Sequence, residues 1–121
     1  EIKMGDVQDF TNFVNAVIDE ASFDNIMSYI DYAKQSPDAE IVFGGNGDKS
    51  VGYFVEPTVI RTTDPMFKSM VEEIFGPVIT IYVYDDNKYE GNTRTLRPYI
   101  SVWFNRFYFC TRSLCDRYGI Q

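Results

Sequence analysis

Apolar residues at Phe23, Ile26, Met27, Ile30 and Ala33 recur at the three- and four-residue steps of a helix and line one of its faces. Ser22 is the natural N-cap, and Pro37 stops the element, so the spacing predicts a helix running to about Gln35. Burying its four large side chains would contribute on the order of 1.5–3 kcal/mol each, which makes this stripe core rather than a partner surface. Upstream, Asp9 or Thr11 caps a brief predicted helix over Phe10, Phe13, Val14 and Val17. Downstream, Glu40 to Phe43 reads as a short buried strand and Tyr53 to Arg61 as a return strand, with Pro57 marking an edge or a bend. Asp64-Pro65 opens a helix of one or two turns toward Val71, because aspartate suits the cap and proline the first helical position. Val78 to Tyr84 is apolar, β-branched and aromatic, the pattern of a buried strand. Helices and strands alternate, which predicts an α/β fold.

Two loops invite chemistry. Gly44-Gly45-Asn46-Gly47-Asp48 suggests a phosphate cradle, but no helix start follows to present N–H groups and Asp48 repels anions, so a turn or hairpin connection is expected. The second is Glu72-Glu73-Ile74-Phe75-Gly76-Pro77-Val78, where Gly76 and Pro77 force a helical turn to give way to a strand. A carboxylate on that junction can accept two hydrogen bonds from a ribose diol, and a neighbouring ring can pack against the sugar or a nicotinamide. The alternative is a solvated acidic pair at a helix end with Phe75 in the core.

From Gly5 to Glu90, through Gly52-Tyr53-Phe54-Val55-Glu56-Pro57-Thr58 and the Glu-Glu-Ile-Phe-Gly-Pro segment, the order of features resembles the aldehyde dehydrogenase superfamily. The runs Ala16 to Phe23, Phe43-Gly44-Gly45, Ser50 to Pro57 and Tyr82 to Asp86 are most similar to its glutamate γ-semialdehyde branch, which uses NAD in proline breakdown. The resemblance implies part of that family's catalytic domain, with helices packed on a mostly parallel sheet and the domain incomplete. It implies that Glu73 binds the nicotinamide ribose hydroxyls of NAD and that Phe75 packs beside them. It places the nucleophilic cysteine and the glycine-rich nucleotide-binding part before this signature, so Cys110 and Cys115, which follow it, are not the nucleophile. The substrate-anchoring segment that ends in Phe-Gly-Gly is not found either. No catalytic residue and no metal ligand is therefore assigned. The implied setting is a homo-oligomeric parent enzyme acting on a small aldehyde in the mitochondrial matrix; residues 1–121 show no targeting segment, and the acidic start is unlike a transit peptide.

The net charge of −7 argues against nucleic acid, which needs clustered Lys and Arg. That charge is divided unevenly. Residues 1–90 carry 17 acids against six bases, whereas 91–121 carry one acid, Asp116, against five arginines, together with both cysteines and Trp103. Lysine, present five times in the first part, is absent from the second. The aromatic run from Trp103 to Phe109 lacks helical spacing and falls short of the about 20 apolar residues that span a bilayer, so no membrane role is expected. Written in degenerate codons and read one nucleotide later, Val102 to Arg106 can encode Tyr-Gly-Leu-Thr-Gly, similar to what aldehyde dehydrogenases carry after the signature. The chain is accordingly expected to divide into an aldehyde dehydrogenase-like segment, 1–90, and an atypical tail, 91–121, that is out of frame or disordered.

Two expectations of different kind follow from the resemblance: a fragment of a semialdehyde dehydrogenase, or a non-catalytic product, either docking on full-length subunits or without function. A purified polypeptide of these 121 residues is expected to form no NADH from glutamate γ-semialdehyde and NAD. Measurable turnover would overturn this expectation, and sequencing the transcript across Glu90 tests the shifted frame.

Overall fold

The computed structural model describes residues 2–85. Expectations for residues 86–121, the tail above all, lie outside the described residues. The helical stripe forms α1, Glu20–Gln35. It starts earlier than the sequence suggests, because Asp19 rather than Ser22 is the N-cap: the Ser22 N–H donates to Asp19 Oδ1 over 2.7 Å. That bond, then the Ser22 side chain, holds the Asp19 carboxyl below the usual carboxylate range. Ser22 thus sits in the first turn, where its N–H needs an acceptor and the Asp19 carboxylate supplies one. Phe23, Ile26, Ile30 and Ala33 are buried as the periodicity predicts, and Tyr29 joins them.

No helix forms over residues 10–17. Asp6 and Asp9 instead accept the N–H groups of Gln8 and Thr11, turns that compete with a helical start, and Met4 bridges Val14 as an isolated parallel pair. Phe10 and Phe13 are accordingly exposed.

Among the described residues five strands follow: β1 (Ala39–Phe43), β2 (Gly47–Asp48), β3 (Phe54–Val55), β4 (Thr58–Thr62) and β5 (Val78–Tyr82). The predicted return strand is therefore two, split at Glu56-Pro57, since proline cannot donate to a ladder. One sheet has the order β1-β4-β5, with β1 antiparallel to β4 and β5 parallel to it, so it is partly parallel. β2 and β3 form a separate antiparallel pair, and the Gly44-Asp48 loop leads into it as a connection. Gly44 has φ +71°, and a Cβ there would lie 2.2 Å from the Pro57 carbonyl oxygen, so only glycine suits this turn. Between β4 and β5 the chain crosses over through α2, Lys68–Val71. This helix begins later than predicted: Asp64 accepts the Met66 N–H with its side chain and the Phe67 N–H with its carbonyl, closing a β-turn before the helix.

α1 covers one face of the sheet. Phe23, Ile26, Ile30 and Val55 form one core cluster, and Ala33, Ile60 and Phe67 a second, with Ile41 and Val78 packed against both. The buried hydroxyls of Thr58 and Thr62 donate to the Glu56 and Asp38 carbonyls and accept from the Gly45 and Asp64 N–H groups. The opposite face stays open among the described residues. β1 and β5 are consequently not buried strands as expected: Val42, Phe43, Ile79 and Ile81 are all exposed, as is Val83 beyond the end of β5.

Ile30 has no exposed surface, and Phe13 is 82% exposed. Ile30→Asp is expected to destabilise the chain by about 4 kcal/mol or more, through a buried unpaired charge, and Phe13→Ala by no more than about 0.5 kcal/mol. Urea unfolding followed by circular dichroism measures both.

Candidate cofactor site

The signature starts where α2 ends. Glu72 is the C-cap, its N–H donating to the Lys68 carbonyl over 3.0 Å. Residues 73–75 are irregular, Gly76 and Pro77 bend, and β5 begins at Val78, so the motif occupies the predicted junction between helix and strand. Two short bonds fold the bend: Gly76 N–H to the Ile74 carbonyl, 3.0 Å, and Val78 N–H to the Gly76 carbonyl, 2.8 Å. The Pro77 carbonyl then accepts from Thr58 N–H over 2.8 Å, which locks the exit of the loop to β4.

Alternation within the loop sorts its side chains. Ile74 packs against the core cluster of Phe23, Ile26, Ile30 and Val55, while its neighbours Glu73 and Phe75 are exposed. At 88% exposure, Phe75 is not a core residue. Its ring is presented to whatever lies outside. The Glu73 carboxylate makes no hydrogen bond or ion pair with any described residue, so its lone pairs remain for an external donor. Both candidate residues thus lie exposed on the junction between α2 and β5, and no described residue gives them a competing role.

Two supports were not foreseen. Tyr29, on the buried face of α1, donates its hydroxyl to Glu72 Oε2 over 2.5 Å. That bond, assisted by burial and the Glu72 charge, holds the phenol above its ordinary titration range. Lys68 lies 4.6 Å from the Tyr29 ring centroid and 5.8 Å from that of Tyr32, within reach of the rings' negative faces. The second support is Gly76, whose missing side chain makes room for α1: a Cβ there would lie 2.4 Å from Ile26 Cδ1. Nothing in the sequence shows that Glu72 is tied to a partner, and Tyr29 stands 43 positions away.

A carboxylate without a partner among the described residues, beside an exposed ring, on a loop locked at both ends, fits a vicinal diol carrying an aromatic heterocycle. Both hydroxyls can donate to one carboxylate, and the ring can cover apolar faces of the sugar or base. Among the described residues, no group of three side chains is arranged to hold a metal ion.

The chain belongs to the aldehyde dehydrogenase family, whose sequence model matches residues 1–90. Within that family it is 65% identical over 89 residues to the mitochondrial Delta-1-pyrroline-5-carboxylate dehydrogenase of Dictyostelium discoideum, covering 74% of this chain and 16% of the relative. The human protein of the same name is 50% identical over 90 residues, again 74% and 16% of the two chains. Among solved structures, the Delta-pyrroline-5-carboxylate dehydrogenase of Mycobacterium tuberculosis bound with NAD superposes with a TM-score of 0.69 at 36% identity, covering 78% of this chain and 16% of that one. The chain thus spans about a sixth of the length of the relatives it matches.

Gly76→Ala is expected to cost about 1–3 kcal/mol by overpacking against Ile26. Because Ile26→Val removes the clashing Cδ1, the double variant should lose less than the two single losses combined. A double-mutant cycle by thermal unfolding reads the coupling, and strict additivity would show that the contact is not the cause.

Proposed function

We propose that residues 1–90 supply the cofactor side of an NAD-dependent dehydrogenase that oxidises glutamate γ-semialdehyde to glutamate in the mitochondrial matrix. The single observation that carries the reading is the pairing of the Glu73 carboxylate, without a partner among the described residues, with the exposed Phe75 ring on either side of core-anchored Ile74. Glu73 accepts hydrogen bonds from the nicotinamide ribose hydroxyls, and Phe75 packs against the sugar and the nicotinamide ring. NAD, when bound, accepts the hydride that leaves the substrate. Locking of the loop at Glu72 and Pro77 means that little ordering is left to be done when the cofactor arrives. The relatives' names carry Delta-1-pyrroline-5-carboxylate and the mitochondrion; the open-chain semialdehyde and the matrix belong to this proposal.

Residues 1–90 contain no cysteine, so the thiolate that attacks the aldehyde is supplied from elsewhere. Cys110 and Cys115 follow the signature and take no part. The out-of-frame reading of 91–121 is supported by two coincident boundaries: the family match ends at Glu90, and lysine gives way to arginine there.

A second reading, a non-catalytic chain that docks on a full-length dehydrogenase, is favoured by the open sheet face. Val42, Ile79 and Ile81, between 46% and 63% exposed, are more apolar surface than a sheet normally leaves to water. Co-purification with full-length subunits supports that reading; soluble monomer alone, with no association, opposes it.

The catalytic reading is tested by exchanging residues 1–90 into the Dictyostelium discoideum enzyme in place of its matching segment. The exchanged enzyme is expected to oxidise the semialdehyde with NAD, and Glu73→Gln to raise the KM for NAD by about 10-fold, the loss of a charge-assisted bond. Steady-state kinetics measure it, and an unchanged KM would remove Glu73 from the cofactor site.

A further inference from the structure

The bond that ties the acidic pair to the helix beneath it is made by Glu72, the carboxylate that the cofactor reading leaves unused. Glu72 is fixed twice: its N–H donates to the Lys68 carbonyl over 3.0 Å, and its Oε2 accepts from the Tyr29 hydroxyl over 2.5 Å. Tyr29 is itself buried, 8% exposed on the inner face of α1, with the Lys68 ammonium 4.6 Å from its ring centroid. Two residues on, Ile74 is held by the core cluster around Ile26. Glu73 is therefore the one position between two anchors, and its direction follows from theirs.

We infer that the Tyr29–Glu72 hydrogen bond is a latch that positions Glu73 for the cofactor ribose, which makes Tyr29 a positioning residue for NAD although it touches none of it. The inference rests on the reading of Glu73 as the ribose acceptor. Adjacent carboxylates repel each other, and two equivalent acids on a free loop would compete both for Lys68 and for a ligand's hydroxyls. The phenol removes that ambiguity by taking one of them. It is a neutral donor that holds the Glu72 carboxylate against α1, and the loop is ordered before the cofactor binds. Without the latch, ordering of the loop becomes part of the cost of binding.

The test combines the exchanged enzyme with the 121-residue chain. In the exchanged enzyme, Tyr29→Phe is expected to raise the KM for NAD by about 2- to 10-fold, the range for freeing one or two ordered side chains, with a smaller change in kcat and none in the KM for the semialdehyde. Glu72→Ala should reproduce that change. Glu72→Gln, whose amide oxygen still accepts from Tyr29, should restore the parent value. In the 121-residue chain, Tyr29→Phe should speed hydrogen exchange at the Gly76 and Val78 amides relative to those of β4. The latch is overturned if Tyr29→Phe and Glu72→Ala leave both the NAD KM and the exchange unchanged while Glu73→Gln still raises the KM; the cofactor reading then stands. Equal losses in kcat and in both KM values for Tyr29→Phe would also overturn it, since they mark a residue that only supports the fold. If Glu73→Gln has no effect either, the ribose reading fails, and the latch with it.

Discussion

The contact of α1 with the cofactor loop is the constraint on which the rest of the molecule depends. Ile26 packs into the space left by the absent side chain of Gly76, and Ile74 enters the same cluster from the other side. This brings the C-terminal end of α2 and the start of β5 onto a helix some 40 residues earlier in the chain. Once the loop is seated there, the Pro77 carbonyl reaches Thr58 N–H and the parallel pairing of β4 with β5 can begin. A larger residue at position 76 would lift the loop, and the ladder and the acidic pair would move with it.

A short loop distributes three kinds of work among four consecutive residues. Glu72 binds Tyr29, Ile74 packs partly buried against the core, and Glu73 and Phe75 are left outside without partners among the described residues. The energetic logic is that of preorganisation: burial of Ile74 and the hydrogen bond of Glu72 are formed during folding, so the exposed groups need little further ordering when they meet a ligand. The sheet face left open among the described residues has a different origin. β5 is apolar on both sides, as in sheets covered by helices on both faces, yet α1 covers only one. This matches a segment that spans about a sixth of its relatives' length.

Where sequence reasoning departed from the structure, a local hydrogen bond or a missing neighbour was the cause. Asp19 displaced Ser22 as the cap because its side chain could reach Ser22 N–H from outside the helix. Phe10 and Phe13 have apolar spacing, but the aspartate turns at Asp6 and Asp9 took the N–H groups a helix would have used. Asp64 closed a turn in the same manner and delayed α2 to Lys68. Val42 and Ile79 were expected inside on hydrophobicity alone, and hydrophobicity does not state whether a covering element is present.

By itself the sequence determined the helical stripe of α1, the break at Gly76-Pro77 and the family to which the signature belongs, because each is written in residues close together and follows from periodicity, backbone restriction or motif. It also marked Glu73 and Phe75 as the candidate cofactor contacts. Only the tertiary structure decided which of two adjacent glutamates is tied down and which is left free. That choice depends on Tyr29, 43 positions away, which comes within 2.5 Å of Glu72 only after α1 has packed against the sheet. Spacing along the chain carries no trace of such a meeting, since the fold alone brings the two side chains together.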